Sequence, residues 1–304
     1  MGMHDRSRMR EVCGYLASFS RRCIFRSLSM GPIPSHLAFI MDGNRRFAKK
    51  ENLETGAGHK AGFTALMLML KYCYELGVKY VTVYAFSIDN FKRRPDEVQI
   101  IMDMMLEKSE GLLREESVAH QYGMRVYFIG NLKLLDEPNR IAAKKVMMAT
   151  ANYTNCVLLV CVAYTSYDEI THAVEESCKN KLHKIESGNG LIKEVVGQNG
   201  NGVRFEEDEA EALCRSDEIE SNCKIQLPDV EKHIYMSVVP DPDILIRTSG
   251  ETRLSNFLLW QAGNCKLYSP DALWPEIGLK HLVWAVLNFQ RNNSYLEKKK
   301  KKHL

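Results

Sequence analysis

The chain has 304 residues, an apolar content of 45% and a formal net charge of +3. This length fits one large α/β domain or two small ones with a substantial core, and the small net charge argues against a general nucleic-acid-binding protein. No apolar run reaches the roughly 18 residues that a membrane-spanning helix needs, so we do not expect an integral membrane protein. Nine cysteines without a CxxC pair, several of them inside apolar runs, are typical of core residues in a reducing compartment.

The N-terminal segment, residues 1–30, is basic. It contains six arginines, and apolar residues such as Val12, Leu16 and Phe19 recur at helical spacing. It lacks the apolar core of a signal peptide and makes a poor transit peptide. We predict a basic amphipathic helix that either packs on its own domain or lies on an anionic membrane surface. The lysine run in residues 297–304 is typical of a solvated tail or of a segment attracted to such a membrane.

The first polar turn follows an apolar run at residues 36–41. The run stops at five turn-forming and charged residues: Asp42, Gly43, Asn44, Arg45 and Arg46. This pattern predicts a buried strand that ends at Asp42, at the sheet edge where open α/β sheets bind ligands. A carboxylate, a glycine, an amide and two guanidinium groups favour a metal-chelated polyanion, most simply a diphosphate.

Strands and helices alternate through the following residues. Residues 58–76 form an apolar helix closed by Gly77, and its side chains either fill the core or wall a tunnel. Strands are predicted at 79–86, 124–129 and 156–163, with helices from Pro95 and Glu137. This alternation predicts a single α/β domain, residues 31–296, with a mostly parallel central sheet flanked by helices. Residues 181–222 break the pattern and are predicted to be a polar, flexible insertion.

Two further strands also end in polar turns. Residues 79–86 lead to Ser87, Asn90 and Arg93, and a strand at 244–246 leads to Arg247, followed by Arg253 and Ser255. Because parallel strands end at one edge of the sheet, we expect these turns to form a common site with the Asp42 turn. The two groups of arginines indicate two anions held side by side.

Several long motifs stand in the chain in a fixed order. They are HLAFIMDGNRRFAKK, GHKAGF, YAFSIDNFKR and RTSGETRLSNFLLWQ, followed by LYSP and LWPE, and the region that they mark runs from about Gly31 to Gln290. With these motifs the chain resembles the cis-prenyltransferase family, the undecaprenyl and dehydrodolichyl diphosphate synthases. GPIPSH and LWPEIG resemble its eukaryotic long-chain branch, which includes plant dolichol-type and rubber-type enzymes.

The resemblance implies an enzyme that condenses isopentenyl diphosphate onto an allylic diphosphate such as farnesyl diphosphate, with cis geometry. Mg²⁺ would assist, and the long polyprenyl product would occupy an apolar tunnel that opens at the strand C-terminal edge. The competing hypothesis is a non-catalytic partner or scaffold subunit of the same fold. Such a subunit would not need so complete a set of polar site residues. The DDxxD pairs of the trans-acting enzymes are absent.

The resemblance also implies residue roles. Asp42 would bind Mg²⁺, and Asn90 would serve the proton-loss step. The allylic diphosphate would contact Gly43, Asn44, Arg45, Arg46 and His59, and isopentenyl diphosphate would contact Arg247, Arg253 and Ser255. Phe47 and Phe91 would contact substrate through their rings, and Ser87 and Arg93, beside Asn90, would also bind substrate.

Two positions depart from the family pattern. Lys266 replaces a glutamate that contacts the metal in many bacterial relatives, which puts the second metal contact in doubt. The Arg-x-Gly motif that ends homodimeric relatives is missing, since the chain has Arg291-Asn292-Asn293 there. The resemblance therefore implies a partner similar to the Nogo-B receptor, and a cytoplasmic enzyme that is peripheral on the endoplasmic reticulum membrane.

Overall fold

The computed structural model describes residues 3–54, 56–197 and 224–302. The chain divides into two compact units, Met1–Thr165 with Pro240–Leu304, and Ser166–Val239. Every strand that the structure describes belongs to the first unit. The domain boundaries drawn from the sequence stay a prediction.

The first unit is built on a six-stranded sheet with the order β3-β4-β2-β1-β5-β6. All five pairings are parallel. The strands are β1 His36–Ile40, β2 Tyr80–Ser87, β3 Met124–Ile129, β4 Cys156–Tyr164, β5 Ile244–Arg247 and β6 Lys266–Tyr268. Parallel sheets are covered on both faces, which explains why all five residues of β1 are buried. The predicted α/β class with a parallel sheet flanked by helices is confirmed.

The helices of this unit cover the sheet. They are α1 Met3–Leu28, α2 Asn44–Lys50, α3 Ala57–Leu76, α4 Pro95–Leu112, α5 Val118–Tyr122, α6 Glu137–Ala149 and, near the C-terminus, Leu279–Lys302. Gly77 ends α3 in the left-handed conformation, as its position predicts, and Pro95 opens α4 ahead of two acids. Their apolar faces form one core that includes Leu37, Phe39 and Met69.

The C-terminal end of α1 packs on the first unit. Phe25 and Leu28 are buried, and the Nε2 of Gln290 donates a hydrogen bond to the carbonyl of Leu28 at 2.7 Å. Farther toward the N-terminus Leu16 and Phe19 are exposed. Of the two alternatives for this helix, packing holds for its last turns, and the membrane contact stays a prediction. Within the described residues no helix combines the length and hydropathy of a membrane span.

The second unit contains α7 Ser166–Gly197 and α8 Leu227–Glu231. Helix α7 continues through the first part of the predicted insertion at 181–222, and residues 198–223 lie outside the described residues. The last helix of the chain, α9 Leu279–Lys302, likewise continues into the lysine run. The last two residues of the chain, 303–304, lie outside the described residues.

Candidate active site

Three neighbouring strands bring their polar turns to one edge. In the order β2-β1-β5, Ser87 ends β2, Asp42 follows β1, and Arg247 ends β5. The register pairs Ile40 with Arg247, so the arginine is level with the last residue of β1. The turns that the sequence singled out are therefore adjacent in space.

Asp42 is held between two arginines. Arg247 donates from Nη2 to Asp42 Oδ2 at 2.8 Å, and Arg46 Nη2 lies 3.3 Å from Oδ1. Arg247 is buried, with 6% of its surface exposed, and its Nη1 donates to the Arg253 carbonyl at 2.6 Å and to Ser255 Oγ at 2.5 Å. Burial raises the pKa of Asp42, but the two arginines outweigh burial and hold its pKa below the usual value.

The turn after β1 is fixed by its backbone. The Asp42 carbonyl accepts hydrogen bonds from Thr248 Oγ1 at 2.6 Å, Ser249 Oγ at 2.9 Å and the Trp274 amide at 2.9 Å. Gly43 has a φ of 112°, and a Cβ there would lie 2.5 Å from Ser249 Oγ. Only glycine fits this conformation and this space, so Gly43 sets the direction in which α2 leaves the strand.

Helix α3 approaches the same turn closely because two glycines face it. A Cβ at Gly58 would lie 2.1 Å from the Asn44 carbonyl oxygen, and one at Gly62 would lie 2.2 Å from Asn44 Oδ1. Trp274 Nε1 donates to the Gly62 carbonyl at 2.8 Å. This packing explains the GHKAG motif and brings His59 beside Asn44. Burial, followed by the charge of Arg93, lowers the pKa of His59.

The turn after β2 forms a short 3-10 helix, Ile88–Lys92. The Ser87 amide donates to Asn90 Oδ1 at 3.1 Å, and the Asp89 amide donates to Ser87 Oγ at 3.2 Å. Asn90 therefore also has a structural role as part of this cap. Arg93 follows and donates to Glu97 Oε1 at 3.1 Å.

A cavity of about 680 Å³ begins at these turns. Its polar end is lined by predicted site residues, namely Asp42, Asn44, His59, Ser87, Asn90, Arg93, Arg247 and Ser255. Its other end lies among apolar side chains of α3, α4, β3 and β4, which include Phe63, Met67, Met104, Met105, Leu112, Phe128 and Leu158. Lys108 is an exception there, and its Nζ lies 5.1 Å from the Phe63 ring centre. The cavity has the position and lining of the tunnel expected from the resemblance.

The remaining predicted residues lie around this cavity without lining it: Gly43, Arg45, Arg46, Phe47, Phe91 and Arg253. Arg45 Nη1 lies 3.2 Å from Glu97 Oε1, and the Phe91 ring meets Phe86 edge-on at 4.9 Å between centres. Arg253 has a largely exposed side chain. Of these six residues, Arg46 is the one whose side chain forms an ion pair with Asp42 in the part of the chain that the structure describes.

Comparison with known proteins agrees with the geometry. Residues 40–296 match the prenyltransferase family model described as "Putative undecaprenyl diphosphate synthase". Dehydrodolichyl diphosphate synthase 6 of Arabidopsis thaliana is 60% identical over 98% of this chain and 96% of its own length. Rubber cis-polyprenyltransferase HRT2 of Hevea brasiliensis is 56% identical over 94% of each chain. The chain belongs to the cis-prenyltransferase family.

Two further relatives bear on assembly and fold. The dehydrodolichyl diphosphate synthase complex subunit DHDDS of Homo sapiens is 39% identical over 94% of this chain and 75% of its own length. A solved structure of lavandulyl diphosphate synthase from Lavandula x intermedia, in complex with dimethylallyl diphosphate, superposes with a TM-score of 0.68. It is 24% identical and covers 85% of this chain and 95% of its own, which supports the fold. The predicted family and its prenyl-transferring activity are thus confirmed.

This cis-prenyltransferase has a donor set that fits a substrate-carried Mg²⁺ ion. Within the described residues, no three histidine, cysteine or acidic side chains cluster to form a complete metal cage. Mg²⁺ in phosphate-transferring sites takes one or two carboxylates together with substrate oxygens and water. Asp42 would supply one carboxylate to such an ion, and the buried Oδ1 of Asn44 has no hydrogen-bond donor.

Lys266 does not line the cavity. It begins β6 and pairs in register with Ile244, three residues before Arg247 on the neighbouring strand. At about 3.3 Å per residue this is roughly 10 Å below the polar edge. Its effect on a second metal contact stays a prediction.

Sequence reasoning missed Glu251 as a site residue. Its Oε2 lies 2.5 Å from Arg253 Nη1, and its Oε1 lies 3.8 Å from Arg46 Nη1. Glu251 therefore links an arginine of each predicted diphosphate group. The signal was available, because a lone carboxylate between Arg247 and Arg253 needs cationic partners when it is partly buried.

Proposed function

We propose that this chain is the catalytic subunit that condenses isopentenyl diphosphate onto a farnesyl-type allylic diphosphate and makes a long cis-polyprenyl diphosphate. One observation carries the proposal. A single cavity joins a polar end, lined by Asp42, Arg93 and Arg247, to a long apolar end. A diphosphate with a growing hydrocarbon chain needs both kinds of surface in that order.

The reaction forms a carbon–carbon bond and shifts the double bond of the isopentenyl unit. The allylic C–O bond breaks and releases inorganic diphosphate, while C4 of isopentenyl diphosphate forms a C–C bond with allylic C1. The π electrons of the isopentenyl C3=C4 bond form this C–C bond, and loss of the C2 proton to a diphosphate oxygen or water then leaves a C2=C3 double bond. Negative charge develops on the departing diphosphate, so fixed cations at its position stabilise the transition state.

The arginines divide between two diphosphates. Arg45 and Arg46, with the Gly43 and Asn44 turn and His59, would hold the allylic diphosphate. Arg247, Arg253 and Ser255 would hold the isopentenyl diphosphate. Asp42 lies between the two groups, within ion-pair distance of Arg46 and Arg247. Asp42 would hold Mg²⁺, which supplies Lewis-acid stabilisation of the leaving diphosphate.

The turn after β2 would assist the loss of the proton from the isopentenyl unit. Asn90 is a weak base, so it would position the departing proton toward a diphosphate oxygen or water rather than accept it. Its Oδ1 accepts from the Ser87 amide, which fixes the side chain beside the cavity. Phe47 and Phe91 would shield the allylic unit from water.

The chain would work with a partner subunit at a membrane. The human relative is named as a complex subunit, and this chain has Arg291-Asn292-Asn293 where the resemblance places an Arg-x-Gly motif. A partner similar to the Nogo-B receptor would supply that motif. The basic N-terminal helix would keep the complex on the cytoplasmic face of the endoplasmic reticulum, where the apolar product enters the membrane.

Incorporation of labelled isopentenyl diphosphate tests this proposal. The purified chain is incubated with farnesyl diphosphate and Mg²⁺, with and without a co-expressed partner, and the product is sized. We expect strong incorporation only with the partner, and none after Mg²⁺ is chelated. No incorporation in either case would refute the catalytic assignment, and full activity of the chain alone would refute the need for a partner.

A further inference from the structure

A second recess lies beside the polar end of the cavity. It has a volume of about 400 Å³ and is bordered by α2, the turn before α3 and the start of α4. Two residues, Asn44 and His59, line both the recess and the cavity. We call it the cationic recess because its charged lining residues are three cations and one carboxylate: Arg45, Lys49, Arg94 and Glu97.

Glu97 connects the two spaces electrostatically. Its Oε1 accepts from Arg93, which lines the cavity, at 3.1 Å and lies 3.2 Å from Nη1 of Arg45, which lines the recess. The Glu97 side chain is only 14% exposed. A multivalent anion moving from one space to the other would therefore replace Glu97 as the counter-ion of each arginine in turn.

The outer side of the recess faces solvent. The side chains of Arg45 and Arg94 are 66% and 73% exposed. Arg94 has Asp96 within 3.3 Å, whereas Lys49 has no carboxylate at ion-pair distance in the part of the chain that the structure describes. The recess thus offers an unneutralised cation between the polar end and bulk water.

The proposed reaction, on which this inference rests, requires such a path. After each condensation, inorganic diphosphate remains at the allylic position, while the product diphosphate remains beside Arg247. The product can move to the allylic position only after the inorganic diphosphate has left. A route past Arg247 is closed at that moment because the product occupies it.

We propose that the cationic recess binds the released inorganic diphosphate and leads it to solvent. Asn44 and His59 lie where the two spaces meet, and Lys49 and Arg94 bind the ion before it reaches solvent. This assigns a ligand to the space beside the allylic position and gives inorganic diphosphate a separate exit.

Calorimetric titration with sodium diphosphate tests binding without any turnover. The full-length chain should show a weaker diphosphate site in addition to the active site. Removing two cations with Lys49→Gln and Arg94→Gln should weaken that site by about tenfold or more, since charge-assisted hydrogen bonds to the ion are lost. The matched control is Lys50→Gln with Lys145→Gln, because Lys50 pairs with Glu276 and Lys145 is an exposed lysine of α6.

Transient kinetics tests the exit itself. With labelled isopentenyl diphosphate, the Lys49→Gln, Arg94→Gln protein should complete the first condensation at the wild-type rate but turn over several-fold more slowly and release shorter chains. Unchanged diphosphate binding, or an equal loss in the first condensation, would overturn the proposal. If the wild type incorporated no isopentenyl diphosphate, the proposed function would fail, and the calorimetry would still decide whether the recess binds diphosphate.

Discussion

The two ends of the cavity are built on different principles. At the polar end Arg247 makes three directed hydrogen bonds, and Asp42 is fixed through its carboxylate and its carbonyl. At the apolar end side chains from two helices and two strands enclose a volume. The polar end therefore depends on single atoms and charges, whereas the apolar end depends on the space left between side chains.

The largest effect on kcat is expected when one carboxylate oxygen at the polar end is replaced. Asp42→Asn keeps the shape and still accepts from Arg247, but it removes the negative charge that would hold Mg²⁺. We expect kcat to fall on the order of a hundredfold or more, as when a preorganised electrostatic group is lost from a charge-developing transition state. Steady-state incorporation of labelled isopentenyl diphosphate measures it, and circular dichroism checks the fold.

Asp243→Asn is the matched control. Asp243 Oδ2 accepts from the Ser35 amide at 2.7 Å, from Ser35 Oγ at 3.0 Å and from the His36 amide at 3.1 Å, at the opposite edge of the sheet. This variant should keep its activity while losing some stability. Equal activity losses in both variants would mean that the Asp42 effect is structural.

A smaller effect on activity is expected at Arg253, a cation of the polar end whose side chain is exposed. Arg253→Gln removes a guanidinium whose side chain is 65% exposed and whose ion pair is with Glu251. Exposed ion pairs contribute about 1 kcal/mol or less, so thermal unfolding should change little. KM for isopentenyl diphosphate should rise about tenfold, because one charge-assisted hydrogen bond to substrate is lost.

The neighbouring Thr252, also exposed, provides the comparison for this effect. Thr252→Ala should leave KM for both substrates unchanged. A rise in the KM for the allylic substrate in Arg253→Gln, with that for isopentenyl diphosphate unchanged, would mean that the two diphosphate positions have been assigned in reverse.

The same contrast explains what the sequence could predict. The strand ends were predictable because an apolar run followed by Asp42-Gly43 or by Arg247 marks both an element boundary and a chemistry. Glu251 was missed as a link between the two arginine groups, since its approach to Arg46 joins turns far apart in sequence and depends on backbone angles such as the φ of 77° at Ser249. The extent of the apolar end could not be predicted, because the periodicity of α3 and α4 gives a buried face without saying what that face encloses.

Substitutions at the apolar end are expected to change the rate of condensation least and the length of the product most. Met104 and Leu112 both line the cavity and lie eight residues apart on α4, which is about 12 Å along the helix. A tryptophan at either position fills space that the growing chain needs. Met104→Trp should therefore yield shorter products than Leu112→Trp, and both should yield shorter products than the wild type.

The rate of the first condensation should stay at the wild-type value in both variants, since neither side chain is at the polar end. Met148→Trp, at a position on α6 that is 78% exposed, controls for the added ring. Overpacking costs about 1–3 kcal/mol, so folded protein is compared at equal concentration. Product lengths that followed the reverse order would place Leu112 nearer the reacting end. The cavity would then run along α4 in the direction opposite to the one indicated by Arg93, which lines the polar end just before α4 begins at Pro95.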